Sequence, residues 1–235
     1  MSGSSGLVTA VLWDADGVLQ RVPDGAEESM RPALGGLLED VDGFLEDAYR
    51  AERPALAGDV SWLDVLPGLL ARWGISDSYD DVLRVWLSIE PVVETHALLR
   101  ALRAAGVRCY LATNQAEHRG VHMRDELGYA GLFDGAFYSY EMRVAKPDPA
   151  YFRLIVEDLA VPAEELLFVD DRADNVAAAR SVGMRAEVWS HSEDLSVLHD
   201  HLARHGVEVP GSPALRAPAP PFPPAQPSRG TSGVT

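Results

Sequence analysis

The sequence predicts an α/β protein, a doubly wound parallel sheet with a small all-helical cap inserted after the first strand. Over residues 92–209, short apolar runs alternate with amphipathic stretches, as strands and helices do in parallel sheets. Over residues 21–91, apolar residues recur only at helical spacing, and we predict no strand there. The predicted parts are a core of 7–20 and 92–209, a cap of 21–91, a flexible leader of 1–6 and a disordered Pro/Ala-rich tail of 210–235.

The first predicted strand ends in two carboxylates. The apolar residues 11–13 lead into Asp14, and Asp16 follows in a turn that Gly17 permits. Open α/β sheets bind their ligands at the carboxyl ends of the strands, so both side chains should face one crevice. Like charges held this close raise each other's proton affinity. The pair therefore predicts a bound cation, or a division into one nucleophile and one proton carrier.

The insertion has the periodicity of three or four short helices that form a bundle with its own core. Its predicted interruptions are Pro54, Gly58, Pro67 and Gly74. We expect its three tryptophans to pack in that core, although an insertion at this point could also cover the site as a lid. Periodicity cannot orient the candidates for ligand contact, which are Arg21, Arg31, Arg50 and Trp62.

The remaining predicted strands also end in polar residues. The predicted order is helix 94–105, strand 107–112, helix 117–127, strand 135–139, a helix that begins at Pro149 with Asp148 as N-cap, strand 166–169, helix 174–182, strand 186–189 and helix 192–205. The polar ends are Thr113-Asn114, a loop that leads to Lys146, and Asp170-Asp171. Because parallel strands share one carboxyl edge, we expect one site that collects these residues with the first strand's carboxylates.

This set of residues predicts phosphoryl transfer. Several carboxylate oxygens suit a hard divalent ion, and such sites prefer Mg2+, which commonly completes its shell with a substrate phosphate. Asp14 is the candidate nucleophile, while the metal and Lys146 would neutralise charge on the transferred group. Thr113 and backbone amides could hold its oxygens. Spacing does not decide whether Asp170 or Asp171 binds the metal directly, and each residue alone also has an ordinary structural interpretation.

Four segments in this order resemble the motifs of the haloacid dehalogenase superfamily: Asp14-Ala15-Asp16-Gly17-Val18, Thr113-Asn114, Lys146-Pro147, and 168–175. The insertion resembles the C1 type of helical cap. The last segment resembles that of sugar-phosphatases and of the phosphatase domain of soluble epoxide hydrolase. The resemblance implies a Rossmann-like core and a Mg2+-dependent phosphatase that forms an aspartyl phosphate. Its implied substrates are small phosphorylated metabolites, with sugar phosphates as one class.

The resemblance also implies two roles in the first motif. Asp14 would be the nucleophile and a metal ligand. Asp16 would be the general acid for the leaving alcohol and then the base for the hydrolytic water, with its backbone carbonyl on the metal. The superfamily includes dehalogenases, which displace halide without a protonated leaving group and lack the second carboxylate. Asp16 therefore favours a phosphatase over a dehalogenase.

The later motifs imply the phosphate and metal contacts. Thr113, the backbone amide of Asn114 and Lys146 would bind the phosphoryl oxygens. Asp171 would bind Mg2+ directly, and Asp170 directly or through water. A phosphomutase with the same intermediate stays open, as does an inactive interaction module. A phospho-signalling receiver is disfavoured, because its phosphoacceptor lies mid-chain and it has no helical insertion.

The composition of the chain excludes some classes of binding partner. A net charge of -16 argues against nucleic acid, whose phosphates bind Lys and Arg. Without a bilayer-length apolar run or a signal-peptide pattern, we predict a cytoplasmic protein with no membrane partner, and oligomeric state is not predicted. The single cysteine, Cys109, predicts a buried thiol. Two pairs have zinc-ligand spacing but no evident third ligand, so we predict solvated helix faces for them: His118 with His122, and His201 with His205.

Overall fold

A five-stranded parallel sheet lies at the centre of the molecule, in a computed structural model that describes residues 7–23 and 34–210. Its strands are β1 (Ala10–Trp13), β4 (Arg108–Thr113), β5 (Gly135–Tyr138), β6 (Leu166–Asp170) and β7 (Arg185–Val188). Their order is β5-β4-β1-β6-β7, and every neighbouring pair is parallel. The α/β prediction is confirmed, and the predicted strands occur with ends shifted by about one residue, a usual uncertainty for element ends.

Helices cover both faces of this sheet and make up most of the described part of the insertion. They are α1 (Val41–Leu56), α2 (Trp62–Arg72), α3 (Tyr79–Trp86), α4 (Val93–Ala104), α5 (Glu117–Asp125), α6 (Tyr129–Leu132), α7 (Ser139–Met142), α8 (Pro149–Leu159), α9 (Ala173–Ser181) and α10 (Leu195–Arg204). Asp148 caps α8 as predicted, because its side chain accepts a hydrogen bond of 2.8 Å from the backbone N–H of Ala150.

The side chains of β1 alternate between two apolar layers. Val11 and Trp13 pack with residues of α4, α5 and α10, whereas Ala10 and Leu12 pack with residues of α8 and α9. A strand that is buried on both faces must be apolar along its whole length. Asp14, whose backbone N–H still bonds to β6, is therefore the first charged residue at the edge where this central strand ends.

The two connections between sheet and insertion form a short antiparallel ladder that was not predicted. Its strands, β2 (Gln20–Arg21) and β3 (Glu90–Pro91), pair directly, and the backbone N–H of Val92 bonds to Leu19. The expectation of no strand in 21–91 was wrong here, because two residues are too few to show the alternation that identifies a strand. The ladder holds the entry and exit of the insertion side by side.

The insertion packs around its own apolar cluster, as predicted for its tryptophans. Trp62 and Trp86 are buried and stack with ring centroids 5.4 Å apart, while Trp73 packs edge-on against Phe44 at the rim. The cluster also includes Ala116, which immediately precedes α5 of the core. The helical segment therefore lies against the start of α5.

Two of the predicted interruptions lie inside helices instead of between them. Pro54 is within α1 and Pro67 is within α2, whereas Gly58 and Gly74 follow those helices with positive φ angles. A proline removes one backbone hydrogen bond, but the buried side chains on both sides of it keep packing in one apolar face. Tertiary packing of these helices therefore outweighs the free energy lost with the hydrogen bond at each proline.

The boundaries of leader, core, cap and tail stay predictions. Residues 1–6, 24–33 and 211–235 lie outside the described ranges, and with them the candidate Arg31. None of the helices that are described combines the length and hydropathy needed to cross a membrane. The cytoplasmic location and the absence of nucleic-acid and membrane partners also stay predictions.

Candidate active site

The predicted site residues come together at the carboxyl edge of the sheet. β4, β1 and β6 are neighbours, so Thr113, Asp14 and Asp170 end adjacent strands and are all buried. The loop before α8 brings Lys146 to the same edge, where its side chain is 1% exposed. An ammonium group buried this deeply requires charged partners.

Lys146 has those partners at contact distance. Its Nζ lies 2.8 Å from Asp14 Oδ1 and 2.7 Å from Asp170 Oδ2, and it donates to the backbone carbonyl of Ala112 at 2.9 Å. Burial alone would lower the pKa of Lys146, but the two carboxylates outweigh it and raise the pKa. The ammonium therefore stays charged between β1 and β6.

The Asn114 side chain holds the Lys146 loop in place. Its Nδ2 donates to the backbone carbonyl of Lys146 at 2.8 Å, and its Oδ1 accepts from the backbone N–H of Lys146 at 2.9 Å. The resemblance assigned only the Asn114 backbone amide, so this positioning role of the side chain was missed. It fixes the second motif to the third.

Three carboxylates form an acidic cluster beside the ammonium. Asp14, Asp170 and Asp171 each offer an oxygen, and these oxygens lie within 4.8 Å of one another. Burial raises the pKa of Asp14, an effect that the Lys146 ammonium opposes and Asp170 reinforces. Burial, with Asp170 nearby, also raises the pKa of Asp171. Such a cluster is the oxygen-rich environment that a hard divalent cation stabilises.

The structure distinguishes the two acids of the last motif. Asp170 accepts from Lys146, from the backbone N–H of Arg172 at 2.8 Å and from Asn175 Nδ2 at 3.0 Å. Asp171 instead places its carboxylate against Gly17, where a Cβ atom would lie 2.4 Å from Asp171 Oδ2. Asp170 is thus held by protein donors, and Asp171 occupies the space that a glycine leaves.

Asp16 lies at the mouth of the cluster with 44% of its side chain exposed. Three donors contact its carboxylate: Gln20 Nε2 at 2.9 Å, Gln115 Nε2 at 2.7 Å and Arg119 Nη2 at 2.8 Å. Gln115 also donates to the hydroxyl of Thr113 at 3.2 Å. These donors fix Asp16 in one orientation, and sequence reasoning missed all three of them. The proximity of Gln115 and Arg119 to the second motif was the signal that could have indicated them.

The cap contributes a residue that was not predicted. Glu52, on α1, is 9% exposed and accepts a hydrogen bond of 3.0 Å from Trp86 Nε1. Burial raises the pKa of Glu52 to about 6; Trp86 and Arg119 oppose this shift, and Asp16 adds to it. Glu52 is therefore a buried acid of the cap whose pKa responds to the charges of the Asp16–Arg119 ion pair.

The candidates for ligand contact that were named from the sequence have other surroundings than Glu52. Trp62 packs in the cap's own apolar cluster, as expected for the tryptophans, and its contact with a ligand stays a hypothesis. Arg50 and Arg21 are exposed and pair with Asp47 and Glu90, respectively. Helical periodicity could show which side chains share a face, but not which face meets the core.

The histidine predictions were also wrong in part. Both ring nitrogens of His118 are buried without a hydrogen-bond partner in the described part of the chain, and burial lowers the pKa of His118 to about 4. His205 and His201 are mostly buried and contact Glu187 at 2.7 and 3.4 Å. Glu187 lies on β7, a partner that the helix sequence alone could not reveal. The prediction for Cys109 is confirmed, since it is buried and burial raises its pKa to about 12.

This geometry agrees with the chain's relationship to known proteins. A family model of haloacid dehalogenase-like hydrolases matches residues 8–183. The chain is a haloacid dehalogenase-like hydrolase. A HAD-like family hydrolase from Porphyromonas gingivalis has the same fold, with a TM-score of 0.68 and 23% identity over 85% of this chain and 99% of that one.

Among the curated relatives of this hydrolase, phosphatase MT3486 of Mycobacterium tuberculosis is 30% identical over 79% of the chain and 88% of its own length. Sesquiterpene phosphatase astK of Aspergillus oryzae is 36% identical over 41% of the chain and 49% of its own length. The chain spans only 15% to 49% of the length of the first curated relatives that it matches.

Proposed function

We propose that this hydrolase is a Mg2+-dependent phosphatase that cleaves small phosphate monoesters through an aspartyl phosphate on Asp14. The observation that carries the proposal is Asp16, a second carboxylate two residues after the nucleophile, which three side chains orient at the mouth of the site. An alkoxide leaving group needs a proton donor and a departing halide does not. The names of the two phosphatase relatives point the same way.

The donor set fits Mg2+. Carboxylate oxygens of Asp14, Asp170 and Asp171 converge, and the absence of a Cβ at Gly17 leaves space for Asp171. We propose Asp14, Asp171 and the backbone carbonyl of Asp16 as ligands, with Asp170 contributing directly or through water. When bound, Mg2+ would neutralise negative charge in the cluster and on the phosphoryl group.

The residues of the chain would divide the reaction into two transfers. In the first, Asp14 forms a bond to phosphorus as the bond to the leaving oxygen breaks, and Asp16 gives that oxygen its proton. In the second, Asp16 takes a proton from a water molecule whose oxygen bonds to phosphorus, which frees Asp14 and releases inorganic phosphate. Half-exposure of Asp16 suits both steps, since it must meet leaving alcohol and water in turn.

The phosphoryl oxygens would be bound by Thr113, Lys146 and the backbone amide of Asn114. Two carboxylates and a backbone carbonyl hold the Lys146 ammonium group beside Asp14, so its positive charge is already in place next to the phosphoryl group. The Asn114 side chain fixes the loop that carries it. A small phosphorylated metabolite is the proposed partner, and a sugar phosphate is one candidate class.

Turnover of p-nitrophenyl phosphate tests this function. We expect hydrolysis that requires Mg2+, stops on chelation and is abolished by Asp14→Asn. If no phosphate ester is hydrolysed at any Mg2+ concentration, the proposal fails. If 2-haloacids release halide while phosphate esters stay intact, the role given to Asp16 is wrong and the dehalogenase alternative is correct.

A further inference from the structure

The side-chain amide of Gln20 links the proposed general acid to the buried core. Gln20 is the first residue of β2 and is fully buried, with its Nε2 at 2.9 Å from Asp16 Oδ1. Its Oε1 accepts a hydrogen bond of 2.7 Å from the hydroxyl of Tyr129, on α6. A glutamine amide has a donor end and an acceptor end, and Asp16 and Tyr129 occupy these two ends.

Tyr129 is held in place by its own packing. Its buried ring packs edge-on against His96 and beside Phe133, with ring centroids 5.7 and 6.0 Å away. Burial raises the pKa of the Tyr129 hydroxyl, which therefore keeps its proton. If the Gln20 amide turned over, this proton would lose its acceptor. The Tyr129 hydroxyl thus favours the orientation in which Nε2 faces Asp16.

The donors that contact Asp16 are divided unequally between its two oxygens. Oδ1 accepts from Gln20 and from Arg119 Nη2 at 2.8 Å, which occupies both of its lone pairs. Within residues 7–23 and 34–210, Oδ2 accepts only from Gln115 Nε2, and that nitrogen also donates to the hydroxyl of Thr113. Oδ2 therefore has one lone pair open, on the side of a proposed phosphate-binding residue, where it can carry a transferable proton.

A reversed Gln20 amide would compete for that proton. When Asp16 is protonated it has an O–H group, and an amide oxygen that faced Oδ1 could accept a hydrogen bond from it. The proton would then lie on Oδ1, directed at Gln20 and away from Thr113. An amide that is held as a donor excludes this arrangement, because two donors cannot bond to each other.

We propose that Tyr129 is a positioning residue for the general acid: it holds Gln20 as a donor to Oδ1 of Asp16, so that the transferable proton lies on Oδ2. The inference rests on the proposed phosphatase function and adds Tyr129 and Gln20 to the residues on which it depends. The step that requires them is departure of the leaving oxygen, which takes the proton from Oδ2 as its bond to phosphorus breaks.

Two aryl esters whose leaving groups differ in basicity test this role. Nitrophenolate leaves without a proton, whereas the more basic phenolate of phenyl phosphate depends on the general acid. The measured quantity is kcat/KM for phenyl phosphate divided by kcat/KM for p-nitrophenyl phosphate, since kcat/KM covers the steps up to departure of the phenol. We expect Tyr129→Phe to lower this ratio at least about fivefold, a factor that corresponds to about 1 kcal/mol.

Tyr151→Phe is the matched control. Tyr151 is buried in the apolar cluster on the other face of the sheet, and its hydroxyl donates to the backbone carbonyl of Phe137 at 2.6 Å. This variant also loses one buried hydrogen bond of a tyrosine, but it should leave the ratio unchanged. Partial unfolding lowers both rates together, so the ratio is insensitive to the amount of folded protein.

The variant Gln20→Met tests whether Tyr129 acts through Gln20. Methionine has a similar length and no amide, so Gln20→Met should lower the ratio by itself. Adding Tyr129→Phe to it should then change the ratio less than about twofold, because the two residues act in one route. If the effects of the two substitutions multiply instead, Tyr129 acts by some other route and the proposal is wrong.

The outcomes separate this inference from the proposed function. If wild-type protein hydrolyses neither ester, the phosphatase assignment fails and this inference fails with it. If both esters are hydrolysed but Tyr129→Phe leaves their ratio unchanged, or Tyr151→Phe lowers it equally, the role of Tyr129 is refuted while the phosphatase function stands.

Discussion

Gly17 and Asp171 approach each other so closely that one methyl group should change metal binding. Gly17 has a φ of +81°, and a Cβ atom there would lie 2.4 Å from Asp171 Oδ2 and 2.6 Å from its Cγ. These distances are well inside van der Waals contact, so Gly17→Ala must displace the Asp171 carboxylate. If Asp171 is a metal ligand, the substitution should weaken Mg2+ binding.

The expected size has two parts. An alanine held in the left-handed region costs about 1–2 kcal/mol of folding stability. Displacement of the carboxylate should cost roughly ten- to hundredfold in metal affinity, the usual scale for disturbing the support of a metal site. The two parts are separable, because the first appears in unfolding by denaturant and the second in the Mg2+ dependence of turnover.

The assay is the Mg2+ concentration at half-maximal hydrolysis of p-nitrophenyl phosphate. Gly74→Ala is a matched control, since Gly74 also has a positive φ, +72°, but a Cβ atom there would have nothing within 4 Å. We expect both variants to lose similar stability and only Gly17→Ala to require more Mg2+. An unchanged requirement in Gly17→Ala, or an equal rise in both, would refute the assignment of Asp171.

Three further predictions follow from single contacts. Arg119→Met should lower kcat/KM roughly ten- to hundredfold, because a charge-assisted hydrogen bond of about 1.5–3 kcal/mol to Asp16 is lost, whereas Arg124→Met, on the exposed face of the same helix, should not. Glu187→Gln should destabilise the fold by about 1–2 kcal/mol at pH 7. Burial raises the pKa of Glu187, but the hydrogen bond from His205 and the charges of the α10 histidines outweigh burial and hold the pKa below its usual 4.5. The difference in unfolding free energy between wild type and Glu187→Gln, measured in urea, should therefore shrink as the pH falls below 4.5. A difference that stays constant with pH would contradict this. Cys109 should resist alkylation at pH 8 until the protein unfolds, and rapid labelling of the native protein would contradict its burial.

The part of the site that could be predicted from the sequence lies at strand ends. Asp14, Thr113 and Asp170 follow apolar runs that read as buried strands, and the topology of a parallel sheet then requires them to share an edge. Lys146 was placed by its loop, although its near-complete burial between two carboxylates was not foreseen.

The parts that could not be predicted depend on tertiary contacts between distant segments. Glu52 is buried beside Trp86 because α1 and α3 pack together, and the periodicity of either helix carries no information on that contact. Gln20 reaches Asp16 because a two-residue ladder turns the chain there. The histidines of α10 are buried because β7 presents Glu187 to them, 14 residues or more away in sequence.

The central claim is that Asp14 becomes phosphorylated and Asp16 serves both transfers. Rapid mixing of Asp16→Asn protein with p-nitrophenyl phosphate and Mg2+ tests it most directly. p-Nitrophenolate leaves without a proton, so phosphorylation of Asp14 should still occur, while hydrolysis of the intermediate should lack its base. We predict a burst of about one equivalent of nitrophenolate per protein, followed by slow turnover, and no burst with Asp14→Asn. A burst that persists in Asp14→Asn, or steady turnover at the wild-type rate in Asp16→Asn, would contradict the mechanism.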